Sequence, residues 1–139
     1  GVFTIEFWFY LLSLPGYEAL FLQKLGSPRQ QISTYPSGEL VSGFRYGTIT
    51  STTVITTGAW YHVAVVRETT NGVIKQYING VHEGGTLGSP GSVDNTGDLT
   101  IGSEFSGSNR ITGYIDEFRI RKEAVYTTNF TPPTSAFTF

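Results

Sequence analysis

Cysteine and methionine are both absent from the 139 residues, and charged side chains make up only 14% of them. Without cysteine there are no disulfides, no thiolate metal ligands and no thiol nucleophile, and redox chemistry says nothing about compartment. Methionine is missing at position 1 as well, so Gly1 is not expected to be where translation starts, and the chain is expected to be a processed or excised piece of a larger protein. No run approaches the roughly 20 apolar residues a membrane helix needs, and the amino end lacks the basic-then-apolar profile of a signal peptide. Membrane insertion is therefore not expected. A formal net charge of −2 offers no basic footprint for nucleic acid or anionic lipid, so nucleic acid is not an expected partner.

What is present suffices for one core. Hydrophobic residues at 39% and aromatics at 14% can fill an interior, and the length fits a single domain over residues 1–139. Seventeen glycines among many threonines and serines favour strands and turns, because β-branched Thr suits a pleated surface and Gly supplies positive φ. The opening run places Phe3, Ile5, Phe7 and Phe9 on one face at period 2 and Thr4, Glu6, Trp8 and Tyr10 on the other. After a turn at Ser13-Leu14-Pro15-Gly16, residues 19–24 and 30–35 read as short strands separated by Gly26-Ser27-Pro28.

Pro36-Ser37-Gly38 turns into a strand over 39–45, and a Thr-rich connection over 48–58 leads to residues 59–67, apolar on both faces and expected at the centre of a sheet. Asn71-Gly72 and Asn79-Gly80 are hairpin signals, since a type I′ turn needs positive φ at both central positions; they bracket a strand over 73–78 in a three-stranded meander. The glycine-rich stretch 84–97 reads as a long surface loop, 98–102 and 111–121 as further strands, 103–110 as a polar loop, and Phe130-Thr131-Pro132-Pro133 as an extended close. Many short strands with frequent turn signals indicate an all-β, antiparallel two-sheet sandwich of the jelly-roll kind, with a closed barrel as the alternative.

The order of segments carries a resemblance. Phe3-Thr4-Ile5-Glu6-Phe7-Trp8, residues 58–67 with Trp60-Tyr61-His62-Val63-Ala64, Tyr77-Ile78-Asn79-Gly80-Val81, Leu99-Thr100-Ile101-Gly102 and Gly113-Tyr114-Ile115-Asp116-Glu117-Phe118-Arg119-Ile120 together resemble the concanavalin A-like lectin/glucanase superfamily, and within it laminin G-like, pentraxin-like domains. The resemblance covers residues 3 to about 130, and the closing segment 125–133 is similar to the end of such domains in bacteriophage tail and structural proteins. It implies a jelly roll of two curved antiparallel sheets that binds sugars, glycoproteins or other proteins, often with structural calcium. It implies an extracellular or virion-surface location, with other domains of the parent protein as neighbours. Family members usually carry an additional strand before the segment that begins at Gly1, which leaves an edge to be completed.

Catalysis finds little support. Retaining glycosidases need two carboxyls about 5–5.5 Å apart, and the superfamily's glucanases carry them on one strand as Glu-x-Asp-x-x-Glu; no such string exists here. Asp116 and Glu117 are adjacent and expected on opposite faces, and the other glutamates stand alone. His62 and His82 have no ligand-spaced partner, and no Gly-x-Ser-x-Gly elbow is present. Alternation groups Asp116 with Tyr114, Phe118 and Ile120 on the face assigned to the core, where a carboxylate must be hydrogen-bonded, paired or bound to a cation. The resemblance implies a calcium ligand at Asp116; the alternative is a carboxylate that accepts backbone or indole N–H bonds. Asp94 and Asp98, flanking Asn95, are a second oxygen-rich candidate, or simply turn residues. Trp8 and Trp60 are possible sugar-stacking platforms, with Trp60 expected in the core because it matches a packed tryptophan of the family. Ligand contacts are expected on turns, at Tyr35, Arg45, Tyr46, Asn95, Glu104, Asn109 and Arg110. The Asn129-Phe130-Thr131 sequon would be unused in a phage or bacterial source.

The resulting expectation is a non-catalytic module that recognises carbohydrate or a glycosylated surface receptor, as part of a phage or bacterial surface protein. The alternatives are a structural or decoration domain that makes protein contacts and, remotely, a glycoside hydrolase of unusual layout.

Overall fold

Strand β1 (Phe3–Ser13) organises the molecule, because its inward residues Ile5, Phe7, Phe9 and Leu11 are all buried, as the period-2 pattern predicts. The computed structural model describes residues 1–23, 29–45, 47–70, 72–88, 90–93 and 96–137. Within them the remaining strands are β2 (Glu18–Gln23), β3 (Gln30–Thr34), β4 (Glu39–Phe44), β5 (Gly47–Val54), β6 (Trp60–Arg67), β7 (Ile74–Ile78), β8 (Val81–Leu87), β9 (Leu99–Ile101) and β10 (Thr112–Arg121), and there is no helix. They form two five-stranded antiparallel sheets, ordered β10-β1-β6-β7-β8 and β5-β4-β3-β2-β9. This is the all-β jelly-roll sandwich, and its two separate sheets rule out the closed barrel.

The core lies between the sheets. Phe7 stacks on Phe118 at 5.7 Å, Phe118 on Phe21 at 6.3 Å, and Phe9 on Tyr61 at 5.7 Å. Leu20, Ile32, Leu40, Phe44, Ile49, Val63, Val65 and Ile74 fill the rest. Along one side the sheets meet edge to edge. There Glu83 on β8 accepts the backbone N–H groups of Thr52 at 3.1 Å and Thr53 at 2.8 Å on β5. Gly84 permits this approach: it has φ +72, and a Cβ there would stand 2.2 Å from the carbonyl oxygen of Thr50. On the other side the sandwich opens into an apolar cleft of ≈ 550 Å³, lined by Phe3, Ile5, Phe21, Val93 and Ile120 among others.

Two segments expected to be irregular are regular. The Thr-rich connection contains β5, whose inward Ile49 and Ser51 are buried while Thr48, Thr50 and Thr52 face out. Likewise 84–87, assigned to a loop, completes β8. The Asn79-Gly80 hairpin is present as expected, with φ of 50° and 80°. The Gly26-Ser27-Pro28 turn and Asn71 lie outside the described residues.

Candidate functional site

The outer face of the sheet β10-β1-β6-β7-β8 carries the unusual chemistry. Here Thr4, Glu6, Trp8 and Tyr10 of β1 sit opposite Val66, Ala64, His62 and Trp60 of β6, and opposite Arg121, Arg119, Asp116 and Tyr114 of β10. An outer sheet face normally meets water, yet Thr4, Glu6, His62, Ala64 and Val66 are fully buried. What covers them is the segment 122–137, which follows β10 without regular structure. Val125 donates its N–H to Thr4 Oγ1 at 3.0 Å, and Thr4 Oγ1 donates to the Glu123 carbonyl at 2.7 Å. The segment then passes over β7, where Lys75 Nζ reaches the Thr127 carbonyl at 3.3 Å. At β8 the His82 N–H donates to Asn129 Oδ1 at 2.9 Å. Phe130 stacks on Tyr126 with ring centroids 3.5 Å apart, and the pair packs with Ala64, Val66 and Tyr77 into a small second core. Finally the chain returns to β10, where Phe137 donates its N–H to Glu117 Oε2 at 2.7 Å and lies 3.5 Å beneath the Arg119 guanidinium.

Beneath this strap lies a buried ionic cluster. Glu6 accepts from Arg119 Nε at 2.7 Å, from the Tyr126 hydroxyl at 2.9 Å and from His62 Nε2 at 3.2 Å. Burial works to raise the Glu6 carboxyl, but the hydrogen bonds from His62, Arg119 and Tyr126 outweigh it and hold the group below its ordinary range. Burial, followed by the Glu6 charge, pushes Tyr126 up to about 12. The cluster is structural: Glu6 and His62 are fully buried at its centre, Arg119 and Tyr126 are partly buried around them, and together they fix β10, β1, β6 and the strap to one another.

The strap leaves one end of this face uncovered. Trp60 is 44% exposed and Tyr114 57% exposed. With Tyr10 they form a triangle of rings, at centroid distances of 5.5 Å for Tyr10–Trp60, 5.9 Å for Tyr10–Tyr114 and 6.4 Å for Trp60–Tyr114. Trp8 lies alongside, edge-on to His62 at 5.2 Å. Between Trp8, Trp60, Asp116 and Glu117 on the sheet and residues 133–136 on the strap runs a groove of ≈ 450 Å³. Aromatic faces, a carboxylate and backbone from a rigid sheet are the usual materials of a small-ligand site.

A laminin G family model, described as the concanavalin A-like lectin/glucanases superfamily, matches residues 1–128. The chain belongs to this superfamily. No curated protein sequence matches it at a significant level. Among solved structures, the heptameric SAP-like pentraxin of Limulus polyphemus aligns over 90% of this chain and 65% of its own, at 19% identity and a TM-score of 0.67. The CBM40 of the Ruminococcus gnavus IT-sialidase, solved with α2,3 sialyllactose, aligns over 90% and 78%, at 15% identity and a TM-score of 0.70. Domain 4 of AbnA, a GH43 extracellular arabinanase of Geobacillus stearothermophilus, solved with arabinotriose, aligns over 90% and 62%, at 25% identity and a TM-score of 0.67. The chain thus spans less than two thirds of the pentraxin and of the arabinanase domain.

Within this superfamily fold, two expectations about the site need correction. Trp60 is not in the core: β6 turns Val63 and Val65 inward and Trp60 outward, and its outer face is apolar because the strap covers Ala64 and Val66 but stops short of Trp60. Asp116 is not on the core face either. The register between β1 and β10 slips by one residue between Glu6 and Trp8, and Glu117 takes φ +51, so a β-bulge turns Ile115 and Phe118 inward and leaves Tyr114 and Asp116 outside. Asp116 is exposed and accepts the Glu117 N–H at 2.8 Å, which removes the reason to seek a cation there. Asp98 is exposed, and Asp94 lies outside the described residues. Among the described residues no group of three or more His, Asp or Glu side chains is placed to hold a metal ion.

The described residues among those expected on turns lie apart from the groove, whose lining includes none of them. Tyr35 meets Tyr17 edge-on at 5.4 Å, and Arg29 links that ring to Glu104, bonding the Tyr17 hydroxyl at 2.8 Å and Glu104 Oε1 at 3.0 Å. Arg45 adjoins this group, donating its backbone N–H to the Arg29 carbonyl at 3.2 Å, while its guanidinium holds the Ser92 carbonyl at 2.7 Å. Asn109 uses its backbone carbonyl to hold Ala19 at 2.9 Å, and Arg110 beside it is exposed. Tyr46 and Asn95 lie outside the described residues. Sequence reasoning missed Tyr10 and Tyr114 as partners of Trp60, although Tyr10 shares the outward alternation of Trp8.

Proposed function

We propose that this domain is a non-catalytic carbohydrate-binding module, and that the glycan docks in the groove between Trp8, Trp60 and the strap. The observation that carries the reading is the aromatic triangle formed by the exposed Trp60 and Tyr114 with the half-buried Tyr10, of which Trp60 also lines the groove. Large aromatic rings left in water by a sandwich with a full core are costly to maintain without a ligand, and an indole face complements the C–H face of a pyranose. The sugar complexes of the sialidase module and the arabinanase domain support the ligand class, since both share this fold. A bound sugar would keep one face on the rings and direct its hydroxyls to Asp116 and to the residue 133–136 backbone. Residence in an extracellular or virion-surface protein of phage or bacterial origin, with glycoprotein receptors as partners, belongs to the same reading and is supported by the resemblance of residues 125–133.

A glycan-array screen of the domain, run in calcium and in chelator beside Trp60→Ala, tests this. Saturable binding to a glycan family, lost in Trp60→Ala without loss of fold, is the expected result; the chelator arm reports any contribution from an ion. No binding in either buffer, together with self-association that Trp60→Ala abolishes, would instead make the ring patch a protein-contact surface.

A further inference from the structure

The reading of the groove as a carbohydrate site, on which this inference rests, leaves its charge unused. Both acidic residues of the β10 bulge, Asp116 and Glu117, line the groove beside the two tryptophans, and no basic residue lines it among the described residues. Neither carboxylate has an ion-pair partner among the described residues. Each is held by a neutral donor: Asp116 Oδ1 by the Glu117 N–H at 2.8 Å, and Glu117 Oε2 by the Phe137 N–H at 2.7 Å. The basic residue of the same strand, Arg119, is committed to Glu6 at 2.7 Å and to the Phe137 ring. The groove therefore joins aromatic faces to two uncompensated negative charges.

We infer that the groove selects a glycan with a free, protonated amine, of the glucosamine-oligomer class, over its N-acetylated or anionic counterparts. An ammonium group over an indole or phenol face is attracted by the ring quadrupole, and at the same spot it meets carboxylates with which it pairs. A uronic acid placed there would face like charges with no cation to relieve them. Acetylation removes the positive charge while keeping the ring, so the comparison isolates the electrostatic contribution from stacking.

Isothermal titration of the whole domain with a glucosamine oligomer, its N-acetylated form and an oligogalacturonate of equal length tests this, in the natural chain, Asp116→Asn, Glu117→Gln, their double variant and Trp60→Ala. The amine oligomer should bind about tenfold tighter than the acetylated one, with the uronate weakest, and the preference should shrink as salt is raised. Asp116→Asn retains the acceptor for the Glu117 N–H and Glu117→Gln the acceptor for Phe137, so both should fold; in the double variant the preference should fall below about threefold. Equal binding of the amine and acetylated forms by the natural chain overturns the inference. So does a preference that survives in the double variant or in Trp60→Ala, since it would then come from elsewhere on an acidic protein. Trp60-dependent binding without preference leaves the carbohydrate reading standing and removes only this selectivity. If no oligomer binds, this inference falls, and the glycan array alone decides the carbohydrate reading.

Discussion

Replacing Glu6 with Gln removes the buried charge that three neighbouring groups share. The carboxylate is fully buried and takes hydrogen bonds from Arg119, Tyr126 and His62 at 2.7, 2.9 and 3.2 Å. An ionised carboxylate can only accept, so all three partners donate to it; a Gln amide keeps one acceptor oxygen and turns an NH₂ group against the remaining donors. Stripping one partner from a buried ion pair costs about 3–5 kcal/mol, and the low end, about 3 kcal/mol, applies because Gln preserves the shape and one acceptor. For a chain of this length that lowers Tm by about 10 °C. The pH dependence has a definite sign. Burial tends to raise the Glu6 carboxyl, but its hydrogen bonds hold it below the ordinary 4.5. Its stabilisation is therefore present above that value and lost as pH falls through the depressed one. Natural chain and variant should accordingly differ most near neutrality and converge in acid. Thermal melts across that range, followed by circular dichroism, provide the assay. Glu123→Gln is the control: its pair with Arg121 is half-exposed on both sides, so its loss should cost no more than about 0.5 kcal/mol. A Glu6→Gln shift no larger than that of the control would refute the claim that the cluster anchors the strap.

Three further outcomes follow from the same geometry. Gly80→Ala places a Cβ 1.8 Å from the Phe130 carbonyl oxygen at a φ of +80°; it should cost about 2 kcal/mol and speed amide exchange at Phe130, whose N–H donates to the Gly80 carbonyl. Because burial and the Glu6 charge raise Tyr126 from 10 to about 12, its neutral form is favoured by folding. Stability should hold below pH 10 and drain between 10 and 12, and Tyr126→Phe should flatten that alkaline arm in a melt series. Glu83→Gln should cost about 1–2 kcal/mol and raise exchange at Thr52 and Thr53, whose N–H groups it accepts; unchanged exchange there would mean that the β5 and β8 edges are held by something else.

Much of the fold was legible because alternation is a direct record of which face is dry. β1 declares its inward Phe7 and Phe9 and its outward Trp8 and Tyr10 in eight residues, and Asn79-Gly80 declares its hairpin. β5 escaped notice because, of its buried inward pair, only Ile49 is apolar; Ser51 is polar and bonds the Leu40 N–H instead. The site was harder to read for two physical reasons. The bulge rests on a non-glycine residue at positive φ, Glu117, which no turn composition announces, and one inserted residue reverses every side chain beyond it. The strap buries Tyr126 and Phe130 without any period, so nothing in the run 122–137 shows that it covers one end of the sheet and leaves Trp60 bare. Trp8 and Asp116 were both singled out from the sequence, but as separate candidates on opposite faces; the bulge brings them to one groove.

The central claim, that the groove is where a ligand binds, has a direct optical test, because Trp8 and Trp60 are the chain's two tryptophans and both line it. All intrinsic tryptophan fluorescence therefore originates at the site. Titration with a glycan taken from the array should shift the emission to shorter wavelength and saturate with the same Kd as calorimetry, and Trp60→Ala should abolish both signals. Calorimetric binding that saturates while the emission stays unmoved would place the ligand elsewhere on the domain and contradict the account.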